Sequence, residues 1–156
     1  MTMQRFGVRT PRGFLTNIVI VLVGNANALA MMQLIHHALK PVGAAPLAVD
    51  DSDAKSPAYF FDLTIAGADA APIVASIFGV KGMANAHLPA LLASAHALVV
   101  ASDAAGADPQ TAARTLAAKM PKERSEEVYA LRIGDSEQAR EAIVAVIEDL
   151  VAKSSA

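Results

Sequence analysis

The run Ile18-Val19-Ile20-Val21-Leu22-Val23, followed by Gly24-Asn25-Ala26-Asn27, decides how the chain folds. An unbroken β-branched and aliphatic run reads as a strand buried on both faces, and the glycine ends it. Asn27 is a good N-cap, and Ala28-Leu29-Ala30-Met31-Met32-Gln33-Leu34-Ile35 behind it supplies strong helix formers. The unit is strand, short loop, helix. In an α/β domain that is where a phosphate-binding loop sits, yet the groups that hold phosphate are absent from it.

Working outward, Lys40-Pro41-Val42-Gly43 stops the helix, because proline cannot continue it and glycine tolerates the turn. Pro46-Leu47-Ala48-Val49 predicts a second strand, the polar stretch 50–57 a turn, and Ala58-Tyr59-Phe60-Phe61-Asp62-Leu63-Thr64-Ile65 a third strand. So short a link joins an antiparallel hairpin, since a parallel crossover needs a dozen or more residues. From 67 to 89 the chain is small and apolar, interrupted by Pro72, Gly79, Gly82 and Pro89, and one short helix over 71–78 is expected. A short helix closing at 91–94 follows, then a strand over 96–101. Asp108-Pro109 opens a helix that runs to about Met120. After a charged loop, Val128-Tyr129-Ala130-Leu131-Arg132-Ile133 is the last strand. Asp135 caps the final helix, Gln138 completes a capping box, and Ile143, Ile147, Leu150 and Val151 share one face.

The expected fold is α/β: a three-layer sandwich with a mostly parallel sheet of about five strands, interrupted by one antiparallel hairpin, a Rossmann-like arrangement. It occupies residues 16–156 as one domain. Residues 1–15 carry Arg5, Arg9 and Arg12 without clean periodicity and read as a flexible basic arm. A chain of 156 residues, 54% hydrophobic but only 4% aromatic, gives an aliphatic core in which Ala-rich helices pack closely on the sheet. The alanine content is in keeping with a bacterial source.

A net charge of -2 provides no whole-domain field for nucleic acid or anionic lipid, and the arginines of the arm neutralise few phosphates. There is no cysteine, which removes disulfides, thiolate metal sites and a Cys nucleophile together and is compatible with a cytoplasmic location. The apolar stretch 14–23 is too short to span a bilayer, so no membrane insertion is expected.

Gly24, Asn25 and Asn27 lie where open α/β sheets bind ligands, and Ser102, Asp103 and Gly134, at the ends of two other strands, border the same crevice. The plainer role for Asn27 is a helix cap and for Gly24 a turn. His36 and His37 are adjacent on a helix and point about 100° apart, so they cannot ligate one metal together. His87 and His96 have no partner at a recognisable spacing. Asp50, Asp51 and Asp53 lack the glycine and the distal glutamate of an EF-hand loop and read as a solvated hairpin tip. No metal, cofactor or catalytic residue is expected, and no G-x-S-x-G elbow is present. Phe78, Val80 and Met83, apolar residues around two glycines, form a candidate partner surface, packing beneath the sheet edge being the alternative.

The order strand, loop, helix, hairpin, then two further strand–helix units resembles the Ras-like small GTPases over most of the chain after the arm. That family carries G-x-x-x-x-G-K-[S/T] in its first loop. Here Gly24 matches, while the second glycine becomes Leu29, the lysine Ala30 and the metal-binding hydroxyl residue Met31. The acidic D-x-x-G motif falls on Thr64-Ile65-Ala66-Gly67, which keeps the glycine and loses the Asp. The base-reading N-K-x-D motif is matched by neither Ala101-Ser102-Asp103-Ala104 nor Ile133-Gly134-Asp135-Ser136, and one strand of the family's sheet has no counterpart. The resemblance implies a pseudo-GTPase that neither binds nor hydrolyses GTP or ATP and acts as a protein-protein interaction or scaffold module, with a protein partner or a second copy of itself. The alternative is a domain that binds or transforms an anionic small molecule in the crevice after the first strand.

Overall fold

A computed structural model describes residues 6–24, 27–52, 55–66, 71–82, 84–102, 108–124 and 127–155. In chain order the elements are β1 (Val8–Thr10), β2 (Gly13–Leu22), α1 (Ala28–Leu39), β3 (Ala48–Asp50), β4 (Ala58–Ala66), β5 (Pro72–Lys81), α2 (Leu88–Ser94), β6 (Ala97–Ser102), α3 (Pro109–Ala117), β7 (Val128–Arg132) and α4 (Ser136–Ser155), with 3-10 turns at Lys40–Val42 and Lys122–Arg124. The sheet has seven strands in the order β3-β4-β5-β2-β6-β7, and β1 pairs with β2. β5, β2, β6 and β7 run parallel, whereas β3 with β4, β4 with β5, and β1 with β2 are antiparallel.

The strand that begins the argument is the centre of the molecule. Ile18, Ile20 and Leu22 of β2 face one cluster, with Met32 and Ile35 of α1 and Ile143 and Ile147 of α4. Val19 and Val21 face a second, with Leu88 and Leu92 of α2 and Leu116 of α3. Helices on both sheet faces explain why the run has no polar alternation. Burying each such side chain contributes about 1.5–3 kcal/mol.

The hairpin read from the sequence is present as β3 and β4, with Val49 opposite Tyr59. The helix expected over 71–78 is not, since those residues begin β5. A period of two decides the matter: Ile73, Ala75 and Ile77 pack on the α1 side, while Val74, Ser76 and Phe78 alternate to the other. Pro72 is tolerated as the first residue of the strand, where it gives up little of the ladder. A second hairpin, β4 to β5, follows, and it takes the sheet beyond five strands.

The arm also differs from expectation over its described part. Val8 pairs with Leu15 and Thr10 with Gly13, so β1 lies on the same side of β2 that β6 occupies from Ile18 onward. The Thr16 hydroxyl donates to the Phe6 carbonyl at 2.9 Å, and Arg9 lies 5.4 Å from the centre of the Phe14 ring and donates to the Ser154 hydroxyl at 3.2 Å. Short-range pairing and one buried aromatic thus order a segment that has no helical or strand period. Arg5 lies outside the described residues.

Gly79 lets α1 approach the sheet, because a Cβ there would stand 2.3 Å from the Met32 Sδ. Gly79→Ala should therefore cost about 1–3 kcal/mol in urea unfolding through overpacking. In the Met32→Ala background the added methyl should cost markedly less, since the space it needs has been vacated.

Candidate functional site

Because β2, β5, β6 and β7 are parallel, their C-terminal ends meet at one end of the sheet. The backbone there is closely tied: the Val23 amide donates to the Ala101 carbonyl at 3.0 Å, Gly82 to Leu22 at 2.8 Å, and Ile133 to Ser102 at 2.8 Å. Gly24, at φ +85°, turns the chain out of β2 in the left-handed region that glycine enters without strain. The Asn27 side chain then accepts from the Ala30 amide at 3.0 Å, which is the cap read from the sequence. Across the sheet, Asp135 accepts from the Gln138 amide at 2.8 Å, and the Gln138 side chain accepts from the Gly134 amide at 2.7 Å. The capping box is closed one residue earlier than its usual form.

Gly24, Asn27, Ser102 and Gly134 thus lie at the ends of the neighbouring strands β2, β6 and β7, as expected, while Asn25 and Asp103 fall outside the described residues. Strand alternation nevertheless separates them. Ser102 follows Leu98 and Val100 to the α2 and α3 side, and α1 lies on the other. Ser102 is fully buried, and its hydroxyl has no hydrogen-bond partner among the described residues. The first turn of α1 carries no acidic residue, and Met31, only 7% exposed, enters the core there.

Sequence reading overlooked Lys81. It ends β5 opposite Leu22, on the α1 side of the sheet, and is exposed. Only the register of β5 reveals it. Thr64, Ile65 and Ala66, by contrast, close a strand antiparallel to β5 and so lie at the far end of the sheet from the crevice. Gly67 is outside the described residues.

The candidate partner residues are not in a loop. Val80 is fully buried, and Phe78, half-buried in β5, has its ring 6.3 Å from that of Phe60. Met83 lies outside the described residues. Phe60, Val8 and Leu15 are exposed and, by strand alternation, lie on the α2 and α3 side of the sheet.

Histidines do not gather. His36 Nε2 lies 2.7 Å from the Ala45 carbonyl and must donate to it, and His37 is exposed. His96 accepts from the Asn17 amide at Nδ1, at 2.9 Å, which places the proton of the neutral ring on Nε2. Burial, with Arg124 nearby, holds its pKa below the usual value. Among the described residues no group of His, Asp and Glu is placed to hold a metal ion. Asp50 accepts from the Ser52 hydroxyl at 2.7 Å and from its amide at 3.1 Å; these bonds lower its pKa and form a hairpin tip, while Asp53 lies outside the described residues.

Among the described residues the densest ionisable cluster lies at the opposite, N-terminal end of β7. Tyr129 donates to Asp149 and, at 3.1 Å, to Glu127, and Lys153 reaches Glu127 at 2.7 Å and Asp149 at 3.0 Å. Burial first, and then the bond to Asp149, push the Tyr129 phenol far above its ordinary range. The bond from Tyr129 lowers Asp149. Burial pulls Lys153 down, but its bonds to Glu127 and Asp149 outweigh that and raise it. A phenol held so firmly protonated is neither base nor nucleophile at neutral pH; it joins α4 to β7.

No protein-family model matches the chain, and no curated protein matches it. Among the described residues no helix is long and apolar enough to cross a membrane.

The raised pKa of Tyr129 means that its contribution is complete below pH 10 and is lost as pH rises further. Tyr129→Phe should cost about 1–3 kcal/mol at pH 7. Chemical unfolding between pH 7 and 11 should show a shallower alkaline loss for the variant than for wild type, the remainder coming from Lys153.

Proposed function

We propose that the chain is a nucleotide-independent, pseudo-GTPase-like α/β domain that serves as an interaction or scaffold module. The observation that carries this is the apolar seating of α1. Ala30 stands where the Ras-like pattern has its lysine, and Met31, in the place of the metal-binding hydroxyl, is buried in the core. The strand that reaches the crevice beside β2 ends Gly79-Val80-Lys81-Gly82, so the family's acidic motif laid on it again finds the glycine and no Asp. Charged hydrogen bonds contribute about 1.5–3 kcal/mol each, and losing three of them removes several orders of magnitude of phosphate affinity. The surface available to a partner is the sheet face bearing Val8, Leu15 and Phe60.

Titration calorimetry with GTP, GDP and ATP, each with Mg²⁺, should be silent to millimolar ligand, and micromolar binding would contradict the reading. Sedimentation velocity of Phe60→Glu reports on the surface: association present in wild type should be lost, and unchanged sedimentation would remove this face from the account.

A second reading, binding of an anionic small molecule in the crevice, is favoured by the exposed Lys81 at its rim. Asn27→Asp would keep the cap and repel an anion, so a phosphorylated ligand that bound both proteins equally would count against that site.

A further inference from the structure

α1 does not extend to the edge of the sheet. Between it and β3 lies a groove of ≈ 680 Å³, within the range of small-molecule sites. Leu29, Leu47 and Val49 supply its apolar wall, and Leu29 and Val49 are 44% and 49% exposed. Gln33, Tyr59 and Asp51 supply its polar groups. Among the described residues none of these three side chains bonds another protein group, although Tyr59 is only 8% exposed. His36 also lines the groove, with Nε2 engaged to Ala45, which leaves Nδ1 of the neutral ring as an acceptor.

The asymmetry of the lining is one of charge: the Asp51 carboxylate only accepts, while the Gln33 amide and the Tyr59 phenol can each donate or accept. Among the described residues Asp51 is the one with a formal charge in the lining, and Asp50 before it faces the other side of the sheet with Ala58. An apolar trough with a negative rim and several acceptors complements a protonated amine on an aliphatic body, and it repels a carboxylate or phosphate of the same size.

We propose that the groove between α1 and β3 is a binding site for a small amphipathic amine, with its hydrocarbon against Leu29, Leu47 and Val49 and its ammonium at Asp51. The site lies on the flank of α1 and stands or falls independently of nucleotide binding in the crevice. The full chain is titrated with hexylamine, hexanol and hexanoate, which share a body and carry a cationic, a neutral and an anionic head, and binding is followed by two-dimensional amide NMR. Hexylamine should give saturable shifts at Leu29, Val49 and Tyr59, hexanol should bind about tenfold more weakly, and hexanoate should give no shifts there. Asp51→Asn should reduce hexylamine to the level of hexanol. Val49→Ser should weaken both amine and alcohol. Equal binding of hexylamine and hexanol, an Asp51→Asn variant that binds hexylamine as wild type does, or shifts that map away from the groove would overturn the proposal.

Discussion

The enclosure of β2 on both faces is the constraint on which the rest of the structure depends. Its odd and even residues serve two cores at once, so helices lie on either side, and its neighbours β5 and β6 run parallel to it. That parallelism brings the strand ends to one side of the molecule and makes a crevice. The same enclosure restricts what the crevice can contain. Met31 and Met32 leave the start of α1 directly into the core, with Met32 against Gly79, and in the proposed function this apolar packing stands where a phosphate loop would need polar groups.

Two ends of the sheet therefore do different work. Among the described residues the C-terminal end has capped helices, a buried hydroxyl without a partner and the exposed Lys81. The N-terminal end of β7 has the saturated cluster of Glu127, Tyr129, Asp149 and Lys153, where each charge faces an opposite charge or a donor. Saturation is the mark of a joint, because a group that has its partners already has little left for a ligand.

The fold was legible where local chemistry and burial agree. The β2 run, the caps at Asn27, Asp108 and Asp135, and the hairpin tip at Asp50 and Ser52 each form through nearest neighbours, and each stands where the residues indicate. β5 was obscured because its small residues, Ala75, Ser76 and Gly79, suit the neighbours packed on them rather than any propensity, and Gly79 in particular has meaning only against Met32. β1 was obscured because three residues of strand carry no period. Strand ends can be read from the sequence, so the placement of Gly24, Asn27, Ser102 and Gly134 at one end of the sheet was legible. Lys81 and the groove beside α1 depend on strand register and on how far a helix extends across a sheet, which are long-range facts.

The central claim is that the first turn of α1 is held in the core and does not open to admit phosphate. Native-state hydrogen exchange at the Met31 and Met32 amides tests it most directly, since the Met31 amide bonds the Asn27 carbonyl at 3.0 Å. The account predicts that both exchange only through unfolding of the whole domain, with the same denaturant dependence as the Ile20 amide. Exchange of Met31 and Met32 through a local opening much less costly than that of Ile20 would contradict it.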